Sequence, residues 1–161
     1  MKKLLALLMA ILLVATFGVF ALGSGEESET DQGSGSADNT SIGDYSVEIV
    51  SCRLAKDYAN KDVVIVKYKF TNNNDDEATA FYLTFDDAVY QNGVGLNEAY
   101  VLKDSANYNA DNQTKEIKKG ASIEVEAAYE LNDTTTDIEV EVKELFSFSD
   151  KTIKKTFSIK K

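Results

Sequence analysis

The 161-residue sequence contains no histidine, no proline, no tryptophan and a single cysteine. Without histidine it lacks the side chain that most often moves protons near neutral pH, and with it the commonest zinc ligand. Every catalytic triad built on a histidine base is thereby excluded. One cysteine cannot close an intramolecular disulfide, so a folded domain here must be held by its core. Cys52 alternates with Val50 and Leu54 along an apolar run, and with no histidine to activate it the residue reads as a small buried side chain, not a nucleophile. Paired carboxylates could in principle run glycoside hydrolysis, but with no tryptophan for sugar stacking no aromatic-rich cleft is expected. The absence of proline has no single structural reading.

Basic residues are also few. Seventeen Lys and Arg stand against twenty-seven Asp and Glu, a formal charge of −10. Such a surface repels phosphate backbones and anionic lipid heads, so nucleic acid is not an expected partner. A cationic protein, a cationic polymer or a divalent ion fits better, although solvation alone also accounts for an acidic surface.

What is present begins with an export pattern. Met1, Lys2 and Lys3 form a short basic start, and residues 4–22 follow without one charge. A helix of that length rises ~28 Å, near the hydrocarbon thickness of a bilayer, so residues 4–22 are expected either to be cleaved as a signal peptide or to stay as a membrane anchor. Small residues suited to a signal peptidase stand at Val19 and Ala21 before Leu22, or at Ala21 and Gly23 before Ser24. Either outcome leaves the rest of the chain outside the cytoplasm. Ser24 occupies the place where a lipoprotein would carry its acylated cysteine. The expected organisation is residues 1–23 as signal peptide or anchor, 24–43 as a disordered Gly, Ser and acidic spacer, and 44–161 as one domain. Residues 24–43 hold one large apolar side chain, Ile42, too little to offset the entropy of ordering them.

From Tyr45 onward, apolar and charged residues alternate with period two between clusters of Asn, Asp and Gly. In 122–131, Ile123, Val125, Ala127, Tyr129 and Leu131 share one face. In 137–142, Ile138, Val140 and Val142 do the same, so the two segments are expected to be antiparallel neighbours joined through Asn132, Asp133 and Thr134. Residues 62–71 carry four consecutive apolar residues near their start, Val63 to Val66, and read as a central strand, with Lys67 and Lys69 marking its solvent side. The apolar register changes side between Ile49 and Val50, as at a bulge. Further strands are expected at 78–85, 88–91 and 94–96, the last two joined by the tight-turn pair Asn92 and Gly93, then at 98–102, 116–118 and 152–159. About seven to nine strands at this spacing, with no competing amphipathic helix, predict an all-β antiparallel sandwich.

The segments VVIVKYKFTNNNDDEATAF, AVYQNGV, IKKGASIEVEAAYELND and VEVKELFSFSD, in that order between Val63 and Phe148, resemble a family of bacterial exported proteins and lipoproteins, of Gram-positive type and unassigned function. That resemblance implies a telokin-like, immunoglobulin-like sandwich, an extracytoplasmic location and frequent lipid anchoring. It implies no activity, and the anchoring cysteine is missing here.

Candidate chemistry is sparse. Residues 72–77, Asn-Asn-Asn-Asp-Asp-Glu, gather the oxygens a calcium site needs, yet a turn between strands has the same composition. Asp86 and Asp87 are adjacent, and in an unbroken strand they face opposite ways and cannot share an ion. Tyr82, Tyr90, Tyr100, Tyr108 and Tyr129 could furnish a contact patch or simply pack with their hydroxyls at the core edge. No residue is assigned to catalysis, to a cofactor or to a metal. The expectation is a non-enzymatic extracytoplasmic binding module, secreted or anchored, monomeric and touching membrane only through residues 4–22 if these are uncleaved; the alternative is a secreted hydrolase or enzyme inhibitor using its acidic surface.

Overall fold

The computed structural model of the protein describes residues 40–103, 106–147 and 150–160. Residues 1–23, expected to direct export, and most of the expected spacer at 24–43 therefore lie outside the described residues. Among the described residues no helix is long and apolar enough to cross a membrane.

Among the described residues, eight strands form two antiparallel sheets. Strands β1 (Ser41–Ile42), β2 (Tyr45–Lys56), β3 (Asp62–Asn72) and β6 (Ser122–Glu130) make one sheet in the order β1-β2-β3-β6. The other consists of β4 (Phe85–Gln91), β5 (Val94–Gly95), β7 (Ile138–Glu144) and β8 (Thr152–Phe157) in the order β5-β4-β7-β8. The inward positions of both sheets, among them Val47, Val64, Val66, Phe70 and Val125 of the first and Val89, Val140 and Val142 of the second, meet in one core. Period-two alternation makes this possible, because each strand presents its apolar row to the facing sheet and its charged row to water.

The register of β2 shifts between Ile49 and Ser51, which moves its apolar row to the side expected from the sequence. The ammonium of Lys155 donates to the carbonyls of Ile49 at 2.9 Å and Val50 at 3.3 Å, so a cation on β8 satisfies backbone groups at the bulge and ties the two sheets together. Asn92 and Gly93 take positive φ, 51° and 74°, as a two-residue hairpin requires, and the short β5 follows.

Four expectations are corrected. Strands β6 and β7 are not neighbours: β6 pairs with β3 and β7 with β4 and β8, in different sheets. The crossing is stabilised by Gln91, 2% exposed, whose amide donates to the carbonyls of Asp133 and Thr136 and whose oxygen accepts from the Asn132 N–H at 2.9 Å. Residues 78–85 are not one strand but a bridge at Thr79, a helical turn α1 (Phe81–Thr84) and the start of β4, because the Thr84 hydroxyl turns back to the Ala80 carbonyl at 2.9 Å and Phe81 plugs the core. Segments 98–102 and 116–118 contribute only single bridges, Glu98 to Tyr129 and Ile117 to Thr79. Finally, β1 falls within 24–43, and its Ile42 is 1% exposed in the core.

One further layer matters for function. Residues 96–103 and 106–121, between β5 and β6, cross the outer face of the first sheet as a strap. Val63, Ile65 and Ala128, on that outer face, form a second apolar cluster with Val101 and Tyr108 of the strap. This is why β3 begins Val63-Val64-Ile65-Val66 without alternation: at that end the strand is covered on both faces.

Candidate functional site

The strap is attached to the sheet by charge as well as by apolar contact. The Arg53 guanidinium reaches Glu126 with both forks, Nη1 to Oε1 at 2.6 Å and Nη2 to Oε2 at 3.0 Å, and its Nη2 also donates to the Ala106 and Asn107 carbonyls. Glu126 accepts the Asn109 backbone N–H at 3.1 Å as well. Burial would raise the Glu126 carboxyl, but the Arg53 hydrogen bonds, the Asn109 N–H and the nearby positive charges outweigh it and hold the group below its ordinary value. Gln113 and Asn112, on the 3₁₀ turn Ala110–Thr114, donate to the backbone carbonyls of Glu126 and Glu124. Asn107 sits at φ 50°, a left-handed conformation that asparagine tolerates better than most residues.

Three shallow depressions of about 250, 360 and 260 Å³ follow this strap. Their walls are shared: the first and second both use Lys103 and Tyr108, the second and third both use Asn107 and Asn109. Together they make one groove. At one end its wall carries Tyr100, 72% exposed, which meets Tyr58, 69% exposed, edge to face with ring centroids 6.2 Å apart. Tyr58 is held out by a stiff hairpin between β2 and β3, in which the buried Asp57 carboxylate accepts the N–H groups of Ala59 and Lys61, both at 2.8 Å, and Asn60 takes φ 64°. Tyr108 lies against the floor, its hydroxyl pushed up to about 12 by burial and by the Glu126, Glu98 and Asp87 charges. In the middle, the side-chain oxygen of Asn109 is shielded from solvent and accepts no hydrogen bond from any described residue. The groove is lined by two tyrosines, Tyr100 and Tyr108.

A second polar feature lies between the sheets. Asp87 is on the inward face of β4, where the Tyr129 hydroxyl donates to its carboxylate at 2.5 Å. Burial raises the Asp87 carboxyl above its usual value, and the tyrosine hydroxyls offset only part of that rise. Tyr68, fully buried on β3, turns its hydroxyl toward Asp87 and Tyr129, and burial followed by the Asp87 charge raises it well above the phenol range. Asp86 faces out and pairs with Lys143 at 3.0 Å, so the adjacent acids are separated by the sheet, as strand geometry demands.

The remaining candidates are dispersed. Asn72 and Asn74 spend their side-chain oxygens on the N–H groups of Asn74 and Asp76, the hydrogen bonds of a turn, and Asp75 pairs with Lys119. Cys52 is half-buried beside the core, where burial raises its thiol and the Lys155 charge offsets part of the rise. Lys67 is on the outer face, as expected, and joins Glu124 at 3.1 Å. Of the five tyrosines, Tyr100 and Tyr108 come together at the groove; Tyr129 lies between the sheets and Tyr82 stands exposed on α1. Sequence reasoning missed Tyr58, Asn109 and the Arg53–Glu126 pair. Their placement depends on the strap, which has no periodic pattern to announce it.

The family model described as "Domain of unknown function (DUF5067)" matches residues 23–144, so β8 lies beyond the matched span. No curated protein matches the chain. Among solved structures, the chain is similar in fold to one described as "NMR structure of the protein from Enterococcus faecalis", with 18% identity, a TM-score of 0.54, and coverage of 75% of this chain and 90% of that one.

Proposed function

The chain belongs to the DUF5067 family, and on that footing we propose that it is a non-enzymatic binding module of the cell exterior, an immunoglobulin-like, telokin-like sandwich exported by residues 1–23 and carried on a short spacer. The observation that carries this reading is the groove along the strap. Its charged lining residues Lys103, Asp111, Lys67, Glu124 and Glu126 are engaged in ion pairs, which suits a surface for recognition. Its aromatic residues offer contact area at low entropic cost, and the Asp57 turn fixes one of them before any ligand arrives. Export is supported by the basic start and the uncharged run of residues 4–22, and the acidic surface suits a domain kept soluble outside the cell.

Two measurements test the reading together. Protease added to intact cells digests the domain if it is external, and a domain that stays intact until the cells are lysed contradicts export. Purified full-length chain then binds isolated cell envelopes saturably, with unlabelled chain competing; uptake that rises linearly without competition contradicts a binding role.

A further inference from the structure

Resting on that reading and deepening it, we propose that the strap groove binds a neutral glycan chain. Three features of the groove specify this class. The first is its charge: although the whole chain carries −10, the groove's cations and anions pair off, Lys103 with Asp111 at 2.6 Å, Lys67 with Glu124 at 3.1 Å and Arg53 with Glu126 at 2.6 Å. A polyanion finds no free cation among these residues, and a polycation finds more negative surface elsewhere on the protein.

The second is aromatic. Tyr58 and Tyr100 are among the most exposed large side chains described, yet they are locked against each other. Rings held on a surface present an apolar face framed by polar tips, the surface to which the C–H face of a pyranose is complementary. The third is polar and central. Asn107 and Asn109, which line the groove side by side, supply side-chain amides that can both donate and accept. A chain of hydroxyl groups can pair with such amides ring by ring, whereas an apolar peptide would cover them without partners. The linked depressions form an open track and not a closed cavity, which suits several consecutive sugar rings better than one small molecule.

The test is a titration of the full-length chain, carrying labelled tyrosine and asparagine, with the tetrasaccharides of N-acetylglucosamine and of glucose, and with polygalacturonate as the charged comparison. The proposal expects saturable shifts at Tyr58, Tyr100, Tyr108 and Asn109 with at least one neutral tetrasaccharide, and none with polygalacturonate. Tyr100→Ala and Tyr58→Ala, both at exposed positions, each weaken binding about tenfold while the melting temperature is retained. Absence of shifts with both neutral sugars, shifts confined to other residues, binding unchanged in both variants, or equal binding of the polyanion would each overturn it. The envelope measurement separates the two readings. Saturable envelope binding that neither neutral sugar displaces retains the binding module and removes the glycan, while non-saturable envelope uptake removes the module itself.

Discussion

Single residues under the strap and between the sheets carry charges whose surroundings push them in opposite directions. Glu126 is 9% exposed and its carboxylate relies on Arg53. Arg53→Ala leaves that charge covered and unpaired, at a cost of about 2 kcal/mol, less than the ~3–5 kcal/mol of a fully buried pair because the Arg53 side chain is 37% exposed. Urea denaturation measures the loss, and adding Glu126→Gln to Arg53→Ala recovers part of it, since an uncharged amide tolerates burial better. Asp87 behaves in the opposite sense. Its folded carboxyl is raised above the ordinary value of 3.8, so the folded state holds its proton longer than the unfolded state does. The stability it contributes is complete below the unfolded value and is lost as pH rises through the folded one. Asp87→Asn keeps an acceptor for the Tyr129 hydroxyl and removes this loss, so its stability relative to wild type increases between pH 4 and pH 8. A relative stability independent of pH over that interval contradicts a buried, raised Asp87. Glu126 and Asp133, the latter held down to about 2 by the Thr135 and Thr136 N–H groups, have lowered carboxyls and contribute stability that is lost as pH falls.

Among the elements, the strands were legible in the sequence to the degree that one face was buried and the other wet. Residues 62–71, 122–131 and 137–142 alternate, and β3, β6 and β7 stand there. Alternation reveals which face of a strand is inward, but two strands in opposite sheets show the same pattern as two neighbours, so the pattern of β6 and β7 does not distinguish the two arrangements. What separates them is Gln91, remote in sequence, whose side chain collects backbone groups of the 132–136 crossing. Gln91→Met preserves its length and removes every one of those hydrogen bonds. The expected cost is about 2–4 kcal/mol, from several backbone groups left unpaired near the core, and a loss under 1 kcal/mol by chemical denaturation would show that water replaces the amide. The bulge at Ile49 was legible because it reverses the apolar row, whereas Lys155, which satisfies the carbonyls there, reads in the sequence as an ordinary surface lysine. Residues 81–84 look extended in the sequence because Phe81, Leu83 and Phe85 alternate like a strand, although a hydroxyl at Thr84 closes a helical turn.

At the scale of the whole molecule, two four-stranded sheets enclose one core, and a strap laid over the outside of one sheet adds a second, smaller core and the groove. The sandwich follows from composition and period. The strap does not, because residues 96–121 hold neither period two nor period 3.6 and their order comes from contacts distant in sequence: Tyr108 and Val101 on Val63 and Ile65, Arg53 on Glu126. The functional reading depends on that layer, since without it Val63 and Ile65 are an exposed apolar patch and the groove has no wall. The most direct measurement is therefore nuclear Overhauser contact between the ring protons of Tyr108 and the methyl groups of Val63 and Ile65 in the full-length chain. The account predicts strong cross-peaks, together with slow amide exchange at the N-terminal end of β3. Tyr108 ring signals at free-tyrosine positions, with no cross-peak to either methyl group, would contradict it.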